Sequence, residues 1–315
     1  MYICDCHCDT LTKDYDQGES LYSNNYHLDI KRIIENGGGL QFLAICLPSE
    51  YRYQGGTKFA LQMIDRYNWE IKNLQEKKID FLKVEAKKDL ESLDKHQVAL
   101  LLSIEDGGAI EDSLEVLRIF HQLGVRCMSL TWNYRNQLAD GVNDSSTGGG
   151  LTQLGRDVVK EMNRLGMLVD VSHLSPQGFW DVINLTEKPI MATHSNAQTV
   201  CRVPRNLTDE QIKAIAENNG VIGINFYSKF LENQEEIANI QSIYKHIDHM
   251  VNLVGDEHIA LGTDFDGVRN LAQGVSGVQS MPKILEYLRQ EGYREATIEK
   301  IAYKNVVRIL QEVLP

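Results

Sequence analysis

Residues 150–173, GLTQLGRDVVKEMNRLGMLVDVSH, contain the unit that decides the fold. The amphipathic segment GRDVVKEMNRLG predicts a helix that ends at Gly166, because a glycine commonly closes a helix. The short apolar run MLVDVSH follows directly and predicts a buried strand whose last residue is the polar His173. A helix joined to a buried strand by a very short loop is typical of a parallel α/β sheet.

Short apolar runs of this kind recur along the whole chain and alternate with amphipathic segments. Eight runs rich in Val, Ile and Leu cover residues 2–9, 40–47, 98–105, 125–132, 167–173, 190–195, 221–226 and 259–264. Eight βα units in 315 residues predict one domain, residues 1–315, folded as a TIM (β/α)8 barrel of the α/β class. The reactive groups of such a barrel lie at the C-terminal ends of its strands.

The composition favours a small-molecule partner. With 32 Lys and Arg against 44 Asp and Glu, the formal net charge is -12, which would repel nucleic acid and anionic membranes. No apolar stretch approaches the ~18 residues of a membrane span, and the first residues lack the basic start and apolar run of a signal peptide. We therefore expect a cytoplasmic protein whose six cysteines are free thiols or ligands, and a homodimer remains possible.

The first apolar run contains DCHCDT, residues 5–10, where acids and a histidine alternate with cysteines. Successive side chains of a strand point to opposite faces, so Asp5, His7 and Asp9 are predicted to share one face and the cysteines the other. A thiol behaves as a small hydrophobic group that suits the helix side of a barrel, whereas His and Asp suit the interior. His7 and Asp9 are therefore candidate metal ligands, although a His-x-Asp pair alone also fits structural hydrogen bonding.

Four other predicted strands also end in a histidine or an acid, which strengthens the metal interpretation. These strand ends carry Glu105, His173, His194 and Asp264. Zinc and harder divalent ions favour imidazole nitrogens together with carboxylate oxygens. Five ligands exceed what one catalytic zinc takes from protein, so the pattern predicts two ions that share one carboxylate and a bridging water or hydroxide. The predicted ligands are His7, Asp9, the shared Glu105, His173 and His194.

Three further polar residues have weaker claims to a metal. His246 and His249 lie one helical turn apart in YKHIDHM and could bind an ion, but helix packing or solvation is the favoured interpretation. Asp266 follows Asp264 in GTDFDG and is expected in a turn, where an aspartate commonly has a structural role.

Six stretches of the sequence, taken in order, resemble the membrane dipeptidase (renal dipeptidase) family of zinc metallopeptidases. They are DCHCDT, LLSIEDG, GLTQLGRDVVKEMNRLGMLVDVSH, MATHS, RVPRN and ALGTDFDG, and the block around MNRLGMLVDVSH is highly specific. The resemblance implies a barrel that holds two Zn²⁺ ions at the five ligands predicted above. It also implies hydrolysis of dipeptides that have an L residue first and an L or D residue second.

The same resemblance assigns roles to further residues. Arg205 in VPRN matches the arginine that binds the terminal carboxylate of the substrate, and a guanidinium fork suits a carboxylate. Arg202 is a nearby competitor for that role. Asp264 matches the acid beside the bridging water, where an aspartate can pass a proton to the departing amine. Asp264 and the bridging Glu105 are thus the predicted catalytic residues.

Two positions depart from the family pattern. Trp132 stands where members commonly have a histidine, and Asp106 stands where they have a glycine. Without that histidine, the developing oxyanion could receive a hydrogen bond from the Trp132 indole, Asn133 or Asn136. The favoured interpretation is that Trp132 contacts the substrate by lining and narrowing the pocket.

Two other functions remain open from the sequence. One is an amidohydrolase that acts on another small amide, such as an N-acyl amino acid or a lactam, and dependence on a free substrate amine would separate it from a dipeptidase. The other is a catalytically silent metal-binding barrel. The complete ligand set argues against the second, because a barrel without catalysis usually loses at least one buried charged group.

Overall fold

Nine parallel strands form the centre of the protein in the computed structural model, which describes residues 1–13, 19–94 and 96–315. The strands are β1 (Ile3–Cys8), β2 (Gly39–Cys46), β3 (Phe81–Lys83), β4 (Val98–Glu105), β5 (Val125–Ser129), β6 (Leu168–Asp170), β7 (Met191–Ala192), β8 (Val221–Ile224) and β9 (Ile259–Leu261). They pair in the order β2-β1-β9-β8-β7-β6-β5-β4, and β4 pairs back to β2 along its whole length. This pairing closes an eight-stranded barrel, which confirms the predicted TIM fold.

The ninth strand, β3, extends the sheet beside the N-terminal half of β4. Phe81–Lys83 pair with the residues of β4 from Val98 onward, whereas β5 pairs with β4 only from Leu102 onward. The strand therefore occupies the edge of β4 that β5 leaves open. Sequence reasoning missed it because it has three residues, none of them fully buried, and so lacks an apolar run.

All eight predicted strands are present, but most of them end earlier than predicted. β6 ends at Asp170 and β7 at Ala192, so His173 and His194 lie in the loops that follow these strands. The backbone φ is +68° at His173 and +63° at Asp264, a left-handed conformation that no regular strand contains. The functional side chains are therefore carried by the loops at the barrel rim, directly after the paired residues.

Helices surround the barrel within the described part of the chain. They are α1 (Ile30–Glu35), α2 (Gly56–Glu76), α3 (Lys87–Glu91), α4 (Leu114–Gln122), α5 (Gln153–Leu165), α6 (Pro176–Leu185), α7 (Asp209–Glu217), α8 (Ser228–Leu231), α9 (Ile240–Val254), α10 (Met281–Gln290), α11 (Glu295–Glu299) and α12 (Asn305–Val313). α5 begins after Thr152, whose hydroxyl accepts the N–H of Gly155, and it ends at Gly166, where φ is +72°. Among the described residues, no helix combines the length and the apolar composition that a membrane crossing requires.

A β-bulge interrupts the first strand. Asp5 pairs with Gln41 of β2. Cys8 lies three positions after Asp5, but it pairs with Leu43, which lies only two positions after Gln41. One extra residue in β1 is therefore left without a partner, as in other bulges. Beyond the bulge, the side chains of β1 change faces relative to a regular strand.

The bulge makes the strictly alternating face pattern predicted for residues 4–9 wrong in part. Asp5 lies on the outer side of the barrel, where Oδ2 accepts a hydrogen bond from the hydroxyl of Thr263 at 2.8 Å. Cys6 instead points into the interior, where its neighbours are Cys127 of β5 and Asp170 of β6. The ligand candidates His7 and Asp9 follow the bulge and still point into the barrel. The extra residue in β1 turns the side chain at position 7 inward again.

Candidate metal centre and active site

The strand ends bring the five predicted metal ligands into one buried cluster around Glu105. Oε1 of Glu105 lies 2.8 Å from Nε2 of His173 and 3.4 Å from Nε2 of His194. Its other oxygen, Oε2, lies 3.7 Å from Nε2 of His7, which in turn lies 3.7 Å from Oδ2 of Asp9. All five residues are buried. Glu105 therefore faces two groups of ligands with two different oxygen atoms.

Two ligand atoms in this cluster are buried without a hydrogen-bond partner in the described structure, Nε2 of His7 and Oδ1 of Asp9. Buried polar atoms are almost always hydrogen-bonded, so orphaned atoms among imidazoles and carboxylates fit a bound cation. Asp264 adds a further carboxylate on this side, and ligand atoms of His7, Asp9 and Asp264 lie within 4.8 Å of one another. The residues present therefore fit divalent metal ions.

The electrostatics of the cluster also favour cations. Burial and the charge of Glu105 raise the pKa of Asp9 to about 7. Burial opposes the charged form of His7, but Glu105 and Asp9 outweigh it and raise the pKa of His7 well above its usual value. Without a metal, protons on neighbouring groups thus balance the negative charge of the crowded carboxylates. Divalent ions would displace those protons on binding, so metal affinity should fall at low pH.

His194 is oriented by a chain of hydrogen bonds on its far side. Its Nδ1 lies 2.8 Å from Oγ1 of Thr193, and that hydroxyl donates to Oδ2 of Asp170 at 2.7 Å. Ser129 also donates to the same carboxylate. Because the Thr193 proton is directed to Asp170, the hydroxyl oxygen accepts from Nδ1–H and leaves a lone pair on Nε2. Sequence reasoning missed Asp170, although an acid inside the apolar run MLVDVSH was the available signal.

Arg205 lies in contact with the cluster and makes three hydrogen bonds. Its Nε lies 3.1 Å from Nδ1 of His173, Nη1 donates to Oγ of Ser195 at 2.8 Å, and Nη2 donates to the carbonyl of His194 at 3.0 Å. Arg205 is only 7% exposed, whereas the competing Arg202 is an exposed residue. The structure thus brings Arg205 against two of the predicted ligands.

Asp264 is held beside the cluster by its backbone and by an asparagine that the sequence reasoning did not identify. Its N–H donates to the carbonyl of His7 at 3.1 Å, and Oδ2 accepts from Nδ2 of Asn225 at 2.9 Å. The following loop passes so close that a Cβ on Gly267 would lie 1.9 Å from Oδ2 of Asp9 and 2.6 Å from Oδ1 of Asp264. A glycine is therefore required at position 267 for the loop to cross these carboxylates.

An open cavity of about 1050 Å³ leads to the cluster. Its polar end is formed by Asp9, Glu105, His173 and Asp264, and Lys13 also contributes to the lining. The remaining wall is largely aromatic and apolar, and it includes Pro48, Phe59, Trp132, Tyr227, Phe230 and Val268. The ring centre of Trp132 lies 6.2 Å from that of His173, so the indole lines the cavity beside a predicted ligand.

The two asparagines considered as oxyanion donors differ in what their amide groups contact. Nδ2 of Asn136 donates to Oδ1 of Asp106 at 2.5 Å and to the carbonyl of Leu130 at 2.8 Å. Both of its N–H groups are thereby used, so Asn136 is not available to an oxyanion and that alternative is wrong. Oδ1 of Asn133 lies 2.7 Å from Nδ1 of His173, which places Asn133 behind a predicted ligand.

Asp106 occupies a backbone conformation that suits a glycine, which accounts for the family pattern at this position. Its φ is +80° and its ψ is 101°. The residue is buried, and Oδ1 accepts the N–H of Gly108 at 2.9 Å while Oδ2 lies 3.7 Å from Nε of Arg52. The side chain thus offsets a strained backbone by joining neighbouring loops.

His246 and His249 have separate structural partners. Nδ1 of buried His246 accepts the N–H of Ala197 at 3.1 Å, and Nε2 lies 3.1 Å from the carbonyl of Leu231. Burial lowers the pKa of His246 to about 4, so this imidazole is neutral near pH 7. Nε2 of His249 lies 2.8 Å from Oδ1 of Asp209. These contacts agree with the favoured packing interpretation.

A parallel barrel whose strand ends carry buried imidazoles and carboxylates around a shared glutamate has the features of a metal-dependent hydrolase. Residues 1–314 match the family described as Membrane dipeptidase (Peptidase family M19). Dipeptidase tcpJ of Claviceps purpurea is 30% identical over 298 residues, which are 91% of this chain and 69% of that protein.

Solved structures agree with this match. The crystal structure of the dipeptidase AC, a metallopeptidase, has a TM-score of 0.90 at 30% identity and covers 99% of this chain and 98% of that one. A metallopeptidase from Rhodobacter sphaeroides, liganded with a phosphinate mimic of the dipeptide L-Ala-D-Ala, has a TM-score of 0.88 at 28% identity and covers 99% of each chain. The chain belongs to the membrane dipeptidase family. It is a metal-dependent dipeptidase, a hydrolase that acts on peptide bonds, and the resemblance seen in the sequence is confirmed.

Proposed function

We propose that the protein hydrolyses dipeptides with two divalent metal ions, and that these ions are Zn²⁺. The position of Glu105 carries the proposal, because Oε1 faces His173 and His194 while Oε2 faces His7. Two carboxylate oxygens turned to different sides in this way suit a ligand shared by two ions. The orphaned Oδ1 of Asp9 supports an ion on the His7 side. Imidazole and carboxylate ligands without a thiolate are compatible with a catalytic zinc site.

Two residues outside the ligand set support the chemistry. The ions, when bound, would activate water and polarise the scissile carbonyl. Asp264 holds one carboxylate oxygen on Asn225, which leaves Oδ1 on the cluster side to take a proton and pass it to the departing amine. Arg205 has more N–H groups than the three hydrogen bonds that it makes, so its guanidinium can also bind the terminal carboxylate of a dipeptide.

The shape of the cavity supports a small substrate. Its polar end is suited to the charged backbone of a dipeptide, and its aromatic wall is suited to short apolar side chains. We assign an L residue to the first position and an L or D residue to the second. The Rhodobacter sphaeroides metallopeptidase, which is liganded with a mimic of L-Ala-D-Ala, supports tolerance of a D residue second.

A screen of L,L and L,D dipeptides combined with metal analysis of the purified protein tests this function. We expect about two ions per chain and turnover that requires both a free amine and a free carboxylate. Equal cleavage of N-acyl amino acids or lactams would indicate a broader amidohydrolase. Bound metal without cleavage of any of these amides would indicate a silent barrel. The Glu105→Gln variant is the matched control, since it keeps the size of the side chain but removes the shared charge.

We also propose that the protein acts in a reducing compartment, namely the cytoplasm. All six cysteines are free thiols in the structure, which supports this location. Thiol titration of the protein unfolded without reductant should detect all six, and detection of fewer would indicate disulfides and an oxidising compartment.

A further inference from the structure

Nδ1 of His173 has two neighbours that make opposite demands on it. Oδ1 of Asn133 lies at 2.7 Å and Nε of Arg205 lies at 3.1 Å. An amide oxygen only accepts a hydrogen bond, so Asn133 needs a proton on Nδ1. A guanidinium N–H only donates, so Arg205 needs a lone pair there. A single imidazole nitrogen offers one or the other, and the balance between these neighbours selects the tautomer.

The choice at Nδ1 decides what Nε2 can do. Nε2 of His173 lies 2.8 Å from Oε1 of Glu105 and 2.8 Å from Nε2 of His194. When Nδ1 donates to Asn133, the neutral ring keeps a lone pair on Nε2, which is the form that binds a metal. When Nδ1 accepts from Arg205, Nε2 carries the proton and donates it to Glu105. Asn133 therefore favours the metal-binding tautomer, and Arg205 favours the metal-free one.

The neighbouring ligand His194 has a stronger determinant of its tautomer. The hydroxyl of Thr193 bonds to Nδ1 of His194 and directs its own proton to the buried carboxylate of Asp170. A hydrogen bond linked to a charged acceptor is stronger than one to a neutral amide. His173, which depends on the amide of Asn133 against a competing guanidinium, is thus the ligand whose tautomer is more easily changed.

We propose that Asn133 is a positioning residue that fixes the metal-binding tautomer of His173 and thereby sets the affinity of the ion held by His173 and His194. The inference rests on the proposed function, because it requires an ion at these histidines. Asn133 directly follows Trp132, so one loop both forms the wall of the substrate cavity and tunes the metal centre. Loss of such an outer hydrogen-bond partner typically lowers metal affinity about 10- to 100-fold.

Substitutions at position 133 test this role. Asn133→Leu has a similar size but no acceptor, whereas Asn133→Asp keeps an acceptor and adds a charge. Zn²⁺ is titrated into the full-length, chelator-treated protein against a chromophoric chelator. In Asn133→Leu, one of the two ions should bind about 10- to 100-fold more weakly and the other as in the wild type. Asn133→Asp should bind both ions at least as tightly as the wild type.

Two controls separate positioning from folding. Asn143→Leu makes the same substitution at an exposed position of the same rim and should leave both affinities unchanged. The ¹⁵N NMR shifts of histidine should show increased protonation of one Nε2 in metal-free Asn133→Leu, which a purely structural change would not produce. Asn133→Ala replaces the leucine variant if the latter does not fold.

The outcomes that overturn the inference differ from those that overturn the function. If Asn133→Leu binds both ions as the wild type does, or if Asn133→Asp is weakened equally, Asn133 does not act through the tautomer of His173. Both results leave a wild-type protein that binds two ions and cleaves dipeptides. A wild type that binds no Zn²⁺ would refute the proposed function itself.

Discussion

Substitution of Asp106 separates backbone strain from side-chain hydrogen bonding next to the shared Glu105. The φ of +80° at Asp106 is a conformation in which a residue other than glycine costs about 1 to 3 kcal/mol. Against that cost, Asp106 is only 1% exposed and its Oδ1 accepts hydrogen bonds from Gly108 and Asn136 at 2.9 and 2.5 Å. Oδ2 lies near Arg52 of the loop after β2. The carboxylate thus joins the loops that follow β2, β4 and β5.

The expected loss of stability follows from two contributions, the backbone strain at Asp106 and the hydrogen bonds of its side chain. Hydrogen bonds to a charged group contribute about 1.5 to 3 kcal/mol each, and we take the lower value because burial raises the pKa of Asp106 and so disfavours its charged form. Asp106→Ala loses about 3 kcal/mol of hydrogen bonding and keeps the strain. Asp106→Gly loses the same bonds but recovers the strain, so its net loss should be about 1 kcal/mol. Asp106→Asn, which keeps an acceptor and tolerates positive φ, should lose less than about 1 kcal/mol.

Urea unfolding of the metal-free variants measures these differences without the contribution of bound ions. The expected order of stability is wild type, Asp106→Asn, Asp106→Gly and then Asp106→Ala. Equal stability of the glycine and alanine variants would show that the positive φ carries no strain. An alanine variant as stable as the wild type, with glycine more stable than both, would show that the hydrogen bonds contribute nothing to stability.

Four further predictions concern the site and its surroundings. Replacement of His173 or His194 by Ala should lower the metal content together with the activity, and full activity in a metal-free sample would contradict a metal mechanism. Arg205→Met should cost roughly 2 to 5 kcal/mol in kcat/KM on substrates with a free C-terminal carboxylate and much less on C-terminal amides, whereas equal losses would make Arg205 structural. Trp132→Ala should improve kcat/KM for bulky dipeptides relative to small ones, while a uniform loss of about a hundredfold or more with unchanged metal content would assign Trp132 a part in the transition state. Burial lowers the pKa of His246 in the folded protein from 6.5 to about 4. As the pH falls, the unfolded chain therefore takes up a proton at a higher pH than the folded protein does, and the free energy of unfolding should fall by roughly 3 kcal/mol between pH 6.5 and 4. In urea unfolding, His246→Gln should lack this part of the pH dependence, and equal slopes for both proteins would contradict it.

The sequence by itself determined the barrel and the residues that meet in the buried cluster around Glu105. Eight apolar runs separated by amphipathic helices have one economical arrangement, and it places every strand end on the same rim. Histidines and acids at those ends therefore had to meet, whatever the details of each strand. His7 and Asp9 show how robust this reasoning is, because they lie inside the barrel although the bulge in β1 breaks the alternation used to predict them.

Only the tertiary structure decided how each ligand is oriented. Asn133, the outer partner of His173, lies 40 positions away in the chain, and Asp170, which orients Thr193 beside His194, lies 23 positions from that threonine. Sequence patterns report periodic burial, but a hydrogen bond depends on register, on a bulge or on a single positive φ, each of which shifts a side chain by several ångströms without changing the apolar pattern. The residues that meet in the cluster were therefore readable from the chain, whereas the tautomer of each histidine and the side faced by each oxygen of Glu105 depend on how distant loops pack together.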